Sequence, residues 1–396
     1  MKIGVYGGAF NPPHLGHITA ARAVFELLKL DKLLIIPTGR PPHKRLAPGS
    51  PTPEQRLELA RLAAEQTGLG DRIEVSDLEF RREGNSYTAD TLALLKERHP
   101  DDELWLLMGA DMFLTLQYWR EPGRVLSQAG VAAFGRTEGD TEELFAVQRE
   151  SLYRTYPQAR IFTLSIPGVV EASSSELREQ LARGEGERLL APAVYGYILR
   201  EGLYGTAADL KNLPLRQLRP VALSCLRHSR IPHVLGTEQE AIHLAERWGG
   251  DVEKARRAAL LHDCTKKLSL PEQLAVAERF RVPLDSIERQ EIKLLHAKTG
   301  AAIAEEVFGA DAELAGAIRW HTTGRAGMTL LEKILYLADY IEPTRDFPGV
   351  KDLRRVCYED LDAGVLLGLE MTVREMEERG APIHPKTLEA RDALKG

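Results

Sequence analysis

Two histidines near the start of the chain stand in a setting suited to phosphate chemistry. Residues 7–17 read GGAFNPPHLGH, after an apolar run at 2–7 and before an amphipathic segment at 18–29. Glycines let the backbone approach a ligand closely, and the first amides of a helix favour phosphate. Residues three apart share one helix face, so His14 and His17 are suited to contact bridging phosphate oxygens.

A second candidate phosphate element lies at 173–178, which reads SSSELR. Serines at a helix start can cap the helix and leave amides and hydroxyls for phosphates. Arg178 would then be a fixed cation beside Ser174 and Ser175. A plain helix cap is the alternative that this segment leaves open.

Six residues in the second half have side chains suited to binding divalent metals. They are His233, His262, Asp263, His296, His321 and Asp339. Three of them directly follow apolar stretches at 255–261 and 334–338, where an unpaired buried polar group costs roughly 1–3 kcal/mol. The pattern predicts ligands from different helices of one bundle. The alternative is a set of separate, hydrogen-bonded core residues, which is how we interpret His228 and His243.

The apolar patterns predict two domains of different class. Apolar runs separated by amphipathic segments lie at 2–7, 32–37, 72–77, 103–109, 130–135 and 160–166. Such runs indicate a parallel sheet covered on both faces, which binds ligands at the carboxyl ends of its strands. We predict an α/β doubly wound domain at 1–204, a linker at 205–215 and an all-α helical bundle at 216–396. Helical patterns of the bundle lie at 237–247, 252–262, 271–280, 298–307, 312–320, 330–341, 358–379 and 386–395.

The composition indicates which partners and which cellular compartment fit this chain. A formal net charge of −6 disfavours broad nucleic-acid binding. Three cysteines are too few for a disulfide framework or a thiolate metal site, and they favour a reducing compartment. We find neither a signal-peptide pattern nor a stretch long enough to cross a membrane. We therefore predict a cytoplasmic protein without nucleic-acid or membrane partners, and a homo-oligomer is an open alternative to a monomer.

The two phosphate elements resemble the HxGH and SSxxR signatures of the nucleotidylyltransferase superfamily. Within it, 1–204 is similar to the bacterial nicotinate-mononucleotide adenylyltransferases. The similarity is carried by PPHK at 41–44, GNSYTADTL at 84–92, and GAD at 109–111 with Trp119 further on.

This resemblance implies AMP transfer from ATP to nicotinate mononucleotide, giving deamido-NAD and pyrophosphate. It implies His17 as transition-state stabiliser with His14 and Arg178, and a Mg²⁺ ion held mostly by substrate phosphates. The implied ATP site comprises Gly7, Gly8, Phe10, His14, His17, Ser174, Ser175 and Arg178. The implied mononucleotide site comprises Lys44, Tyr87, Thr88, Asp111 and Trp119. A different acceptor, such as pantetheine phosphate, stays open.

The metal-ligand set resembles the HD phosphohydrolase superfamily. LLHDCTK at 260–266, RWHTTG at 319–324 and LADYIEPTR at 337–345 are similar to bacterial HD-domain hydrolases that cleave diadenosine tetraphosphate symmetrically to two ADP and use iron. The resemblance implies one metal at His233, His262, Asp263 and Asp339. It implies a second metal, bridged by Asp263, at His296 and His321, with Lys266 and Arg345 as phosphate contacts. A regulatory nucleotide-binding module, or cleavage of another phosphate ester, remains an alternative.

Overall fold

The computed structural model describes residues 1–41, 46–135, 139, 142–164, 166 and 173–395. Lys44, expected at the mononucleotide phosphate, lies outside these residues. The chain divides into two compact units, Met1–Ala207 and Ala208–Gly396. Among the described residues, no helix is long and apolar enough to span a membrane.

The first unit is built on a six-stranded sheet in which every pair of neighbours is parallel. Its strands are β1 (Lys2–Gly8), β2 (Lys32–Pro37), β3 (Ile73–Val75), β4 (Glu103–Gly109), β5 (Gly130–Phe134) and β6 (Ile161–Leu164). Their order is β3-β2-β1-β4-β5-β6, so the chain changes direction across the sheet between β1 and β4. Such a switch point opens a crevice at the carboxyl ends of the strands.

Helices cover both faces of this sheet. They are α1 (Leu15–Leu27), α2 (Pro53–Glu65), α3 (Thr88–Arg98), α4 (Ala110–Phe113), α5 (Pro122–Gln128), α6 (Glu142–Thr155), α7 (Ser174–Ala182) and α8 (Pro192–Arg200). Side chains alternate along each strand. Val5 therefore packs in a core with residues of α3, α5 and α6, while Tyr6 packs in another with residues of α1 and α2. The predicted doubly wound α/β class is confirmed.

The second unit is helical throughout its described residues. Its helices are α9 (Leu215–Ser224), α10 (Ile231–Trp248), α11 (Val252–Leu261), α12 (Leu270–Arg279), α13 (Ile292–Glu306), α14 (Ala312–Trp320), α15 (Leu330–Ile341), α16 (Val350–Glu359), α17 (Leu361–Glu378) and α18 (Pro385–Lys395). Helix α10 packs against α11 and α15, and α13 packs against α14. The predicted helical bundle is confirmed, and α11, α14 and α15 also pack against one another.

Two local features differ from the sequence expectations. The pattern at 358–379 is two helices, because Asp360 leaves helical geometry (φ −150°) and its side chain accepts a hydrogen bond from Ala363 N at 3.0 Å. The segment at 205–215 contains a 3₁₀ turn at Leu210–Asn212 and the first residue of α9.

Candidate active sites

The loop between β1 and α1 places both amino-terminal histidines at the carboxyl edge of the sheet. His14 is the residue before α1 and is buried, and His17 lies one turn further on. Their ring centroids are 3.8 Å apart. The His14 amide donates to His17 Nδ1 at 3.2 Å. Since Nδ1 accepts that bond, the neutral His17 ring carries its proton on Nε2, which makes Nε2 a hydrogen-bond donor.

The His17 ring rests on aromatic side chains. Its centroid lies 5.2 Å from that of Phe10 and 6.2 Å from that of Tyr6. Phe10 is only 4% exposed and has a left-handed φ of 44°. Phe10 therefore lies beneath the histidine as its packing partner.

Helix α7 brings the serine-rich element to the same loop. Ser174 Oγ donates to Pro12 O at 3.2 Å, and Arg178 Nη1 donates to Asn11 O at 2.8 Å. Arg178 also bonds Ser174 O at 3.0 Å and Ser175 Oγ at 3.2 Å. Segments more than 160 residues apart in the chain thus meet at one place, with Arg178 fixed against the loop that carries the histidines.

The glycines before this loop leave space above the sheet. Gly7 is exposed, and a Cβ built on it meets nothing within 4 Å. A Cβ on Gly8 would be at ordinary contact distance, 3.4 Å, from the Phe10 ring. No neighbour among the described residues requires glycine at position 7, and the open space there fits a ligand that approaches the backbone closely.

The residues expected at the mononucleotide lie around α3 and after β4. Tyr87 immediately precedes α3, which begins at Thr88, and Arg120 lies 4.3 Å from the Tyr87 ring centroid. Hydrogen bonding from Asn85, and then from Arg120, lowers the pKa of the Tyr87 hydroxyl. Asp111 is exposed on α4, directly after β4.

Trp119 is half-buried and packs against the core shared with α3 and α5. Part of its ring is thus fixed by the core and part is accessible.

Arg56 and Glu79 are buried and connect the loops of this site. Neither was predicted from the sequence. Arg56, on α2, is 1% exposed and donates to the backbone oxygens of Thr38 at 2.7 Å and Gly39 at 3.2 Å, with a longer contact to Ala9 O at 3.4 Å. Glu79 accepts from the Gly39 amide at 3.3 Å and the Thr91 hydroxyl at 2.8 Å. These contacts tie the ends of β1 and β2 to α3. The signal in the sequence was an arginine on the otherwise apolar face of α2.

In the second unit, all six predicted metal ligands meet in one buried cluster. His233 lies in the first turn of α10, His262 and Asp263 follow α11, His296 lies in α13, His321 follows α14, and Asp339 lies near the end of α15. All four imidazoles and Asp263 are at most 5% exposed. Five different helices thus deliver one set of nitrogen and oxygen donors.

One half of the cluster surrounds His233. Its Nε2 lies 3.0 Å from Asp339 Oδ1 and 3.4 Å from His262 Nε2. His262 Nε2 in turn lies 3.4 Å from Asp263 Oδ2. Ligand atoms of His233, His262 and Asp339 all fall within 4.8 Å of one another, close enough to share an ion.

The other half surrounds the second carboxylate oxygen of Asp263. Asp263 Oδ1 lies 3.2 Å from His296 Nε2, which is 3.1 Å from His321 Nε2. Oδ1 is buried and makes no hydrogen bond among the described residues. The two oxygens of Asp263 therefore face different halves, as a bridging ligand requires.

The remaining ring nitrogens fix the orientation of two histidines. His262 Nδ1 lies 2.7 Å from Ala259 O, and His321 Nδ1 lies 2.7 Å from Ile318 O. A carbonyl oxygen only accepts, so Nδ1 carries the proton and Nε2 keeps its lone pair toward the cluster. Backbone partners of this kind are typical of histidines that bind metals.

The charges of the cluster also suit a metal. Burial holds the pKa of His321 well below its ordinary value and lowers that of His296, which favours the neutral form of both rings. Burial alone would raise the pKa of Asp263, but His262, His296 and Lys266 together outweigh it and hold that pKa well below the usual range. Against its own burial, the charges of Asp263 and Asp339 raise the pKa of His262. Neutral imidazoles and ionised carboxylates are the ligand forms that divalent metals require.

Three cations border the cluster. Lys266 Nζ lies 3.0 Å from His296 Nε2, and Arg345 Nη2 donates to Asp339 Oδ1 at 2.7 Å. Arg230 Nε donates to Asp263 Oδ2 at 2.5 Å. Each side chain is about a third exposed (28–34%). Lys266 and Arg345 were predicted from the sequence as phosphate contacts, whereas Arg230 was not. Arg230 lies three residues before His233, a spacing that places the two side chains on one helical face.

Two other histidines are not the core residues that the sequence suggested. His243 is exposed on α10 and His228 is half-buried. Helix α10 is amphipathic, and His243 falls on its polar side. Leaving both out of the ligand set agrees with their positions.

Comparisons with known proteins match the two halves of the chain separately. A cytidylyltransferase-like family model matches residues 5–180, and an HD domain model matches residues 230–344. A "Probable nicotinate-nucleotide adenylyltransferase" from Lachnoclostridium phytofermentans is 36% identical over 204 residues, which are 51% of this chain and 98% of the relative.

A "Bis(5'-nucleosyl)-tetraphosphatase, symmetrical" from Bacillus subtilis is 37% identical over 174 residues, 43% of this chain and 93% of the relative. A crystal structure of a "predicted HD superfamily hydrolase involved in NAD metabolism" from Clostridium acetobutylicum is 37% identical, with a TM-score of 0.45. That match covers 46% of this chain and 97% of the solved one.

Proposed function

We propose that this chain, which belongs to the nicotinate-nucleotide adenylyltransferase family over its first unit and to the HD-domain family over its second, is a bifunctional nucleotide enzyme. The first unit would join AMP to nicotinate mononucleotide. The second would hydrolyse diadenosine tetraphosphate to two ADP.

The transferase proposal is supported by the meeting of the two phosphate elements at the edge of the sheet. In the reaction, a phosphate oxygen of the mononucleotide forms a bond to the α-phosphorus of ATP, and the bond to the β-phosphate oxygen breaks. Pyrophosphate leaves, and no covalent enzyme intermediate is needed. Alignment and stabilisation of the developing negative charge supply catalysis. His17 Nε2–H would donate to a phosphate oxygen, with His14 and Arg178 beside it.

The surroundings fit a Mg²⁺ ion that arrives with the nucleotide. The polar groups of this edge are imidazoles, hydroxyls, amides and a guanidinium, and Mg²⁺ in nucleotide sites is commonly held by substrate phosphates and water. The ion would offset phosphate charge during transfer.

A comparison of acceptors tests the first activity. We expect ATP-dependent pyrophosphate release with nicotinate mononucleotide, and much less with nicotinamide mononucleotide or pantetheine phosphate. The half-buried Trp119, beside the segment around Tyr87, is the expected ring-binding surface. Preference for pantetheine phosphate would replace the proposed acceptor.

The open space above Gly7 gives a prediction for ATP use. Gly7→Ala should lower kcat/KM for ATP by roughly tenfold or more, equivalent to about 1.4 kcal/mol, because the methyl group would occupy space that a phosphate needs. The thermal midpoint should stay unchanged, since a Cβ there meets no atom of the described residues within 4 Å. Steady-state kinetics and calorimetry measure the two effects.

Gly4→Ala is the matched contrast on the same strand. Its Cβ would come within 2.6 Å of Leu30 Cδ1 and 2.9 Å of Leu33 Cδ1, so overpacking should cost about 1–3 kcal/mol of stability. Wild-type kinetics in Gly7→Ala would show that no ligand group approaches Gly7 closely.

The hydrolase proposal is supported by one observation: six candidate ligands from five helices meet in one cluster, and the two oxygens of Asp263 face its two halves. We propose that His233, His262, Asp263 and Asp339 hold one divalent metal, and that Asp263, His296 and His321 hold a second. Iron is the metal we propose. Such a pair supplies Lewis acidity toward phosphate and water.

The chain's own cations would bind the polyphosphate. Lys266, Arg345 and Arg230 lie at the border of the cluster, where their exposed fractions leave them accessible to phosphate oxygens. Water forms a bond to one of the two central phosphorus atoms, and the bond from that phosphorus to the oxygen that bridges the two breaks. The proton released from water goes to the departing ADP. Both products are then ADP.

Metal analysis combined with turnover tests this second activity. We expect about two metal ions per chain, mostly iron, in protein purified without chelators, and hydrolysis that stops when the metal is removed. Tight binding of diadenosine tetraphosphate without turnover would favour a regulatory module. Faster cleavage of a different phosphate ester would change the proposed substrate.

A further inference from the structure

A fully buried carboxylate lies behind the metal-ligand cluster. Glu342, directly after α15, is 0% exposed. Its Oε1 lies 3.0 Å from His233 Nδ1, on the side of the ring that faces away from the other ligands. Burying a carboxylate is costly unless it is fully paired, so its partners indicate what it does.

The carboxylate is held by its own chain segment. The Thr344 amide donates to Glu342 Oε2 at 2.6 Å, and the Thr344 hydroxyl donates to Oε1 at 2.5 Å. Arg354 donates to the backbone oxygens of Glu342 and Arg345, both at distances of 2.8–2.9 Å. Glu342 is therefore a rigid acceptor.

Helix α10 leaves room for this acceptor. A Cβ on Gly236 would come within 2.6 Å of Glu342 Oε2 and 3.3 Å of Pro343 Cδ. Gly236 lies three residues after His233, on the same face of the helix. Glycine at this position allows the carboxylate to reach the histidine.

The partner of His233 Nδ1 differs in kind from the partners of the two histidines whose Nδ1 faces a backbone carbonyl. His262 and His321 each donate Nδ1–H to a neutral backbone oxygen, whereas His233 faces a carboxylate. A charged acceptor fixes the ring and also raises the basicity of the opposite nitrogen. That nitrogen, Nε2, is the one that lies 3.0 Å from Asp339 Oδ1.

We propose that Glu342 is a positioning residue that sets the orientation and donor strength of His233. This inference rests on the metal-dependent hydrolase proposed above and deepens it. It assigns Glu342 to the metal position formed by His233, His262, Asp263 and Asp339. The position at Asp263, His296 and His321 should be independent of it, because none of those side chains contacts Glu342 among the described residues.

Metal titration of the full-length protein tests the assignment without an activity assay. Metal-stripped wild type and Glu342→Gln would be titrated with Co²⁺ against a competing chelator, with Co²⁺ absorption as the signal. The wild type should bind two ions. In the variant, affinity for one ion should fall about 10–100-fold, the range typical of outer partners of metal ligands, and affinity for the other should stay unchanged.

Glu238→Gln is the matched control. Glu238 lies on the same helix as His233, is 3% exposed and pairs with Arg219 at 2.6 Å. Its replacement removes a buried carboxylate without touching a ligand, so thermal stability should fall while both Co²⁺ affinities stay at the wild-type value. Gly236→Ala is a second variant that keeps Glu342 but displaces it, and it should reproduce the selective loss.

The outcomes distinguish failure of the role of Glu342 from failure of the metal-dependent hydrolase. Unchanged affinities in both Glu342→Gln and Gly236→Ala, or equal losses at both positions, would overturn the role of Glu342 and leave the metal site standing. Failure of the wild type to bind any Co²⁺ would overturn the metal-dependent hydrolase and this inference together.

Discussion

Asp263→Asn should abolish hydrolysis of diadenosine tetraphosphate and leave adenylyl transfer unchanged. The two oxygens of Asp263 face both halves of the cluster, with Oδ2 3.4 Å from His262 Nε2 and Oδ1 3.2 Å from His296 Nε2. Amide replacement removes the charge at both positions. We expect a loss of at least about 1000-fold, beyond the 10–100-fold typical of outer partners of ligands, measured as ADP formation by chromatography.

The transferase activity of the same preparation controls for general damage to the protein. Glu332→Gln adds a control within the second unit, because Glu332 is 4% exposed and pairs with Arg325 at 3.0 Å away from the ligands. That variant should keep hydrolysis near the wild-type rate. Asp263→Asn with more than about a tenth of wild-type turnover would be inconsistent with a bridging ligand.

His17→Ala should lower kcat of the transferase by about 100–1000-fold, the range for loss of a positioned donor to a developing negative charge. The reason is geometric. The bond from the His14 amide at 3.2 Å fixes the tautomer, so that Nε2 of the neutral ring donates. A donor that acts on the transition state changes kcat more than KM, and initial rates at varied ATP separate the two.

His99→Ala is the histidine control for this experiment. His99 lies before β4, at the amino end of that strand, and its Nδ1 is 3.1 Å from Asp102 Oδ2. Its removal should leave both activities intact. A His17 variant in which KM rises while kcat stays at the wild-type value would assign His17 to ground-state binding alone.

The sequence predicted the elements of this fold better than their arrangement. Apolar runs located all six strands. The four inner strands are buried on both faces and therefore need apolar side chains along most of their length, whereas the edge strands β3 and β6 are partly exposed. Strand order depends on which helices cross which face, and no local pattern encodes that choice. The break at Asp360 was missed because the apolar periodicity continues across it, while one carboxylate caps the second helix.

The sequence predicted those site residues whose side-chain type alone indicates their chemistry. Histidine and aspartate beside apolar helices mark the metal cluster, since few other roles reconcile that many polar groups with burial. Arg56 and Glu342 were missed because their partners are backbone groups or lie far along the chain: 109 residues separate Glu342 from His233. Such residues are recognised only when tertiary contacts are known.

The products formed from diadenosine tetraphosphate distinguish a symmetrical, metal-dependent hydrolase from the alternatives. Iron-loaded wild type, His17→Ala and Asp263→Asn would each be incubated with this substrate, and the nucleotides separated by chromatography. We expect ADP as sole product from wild type and His17→Ala, and no cleavage by Asp263→Asn. ATP plus AMP, no product from wild type, or cleavage that survives in Asp263→Asn would contradict this expectation.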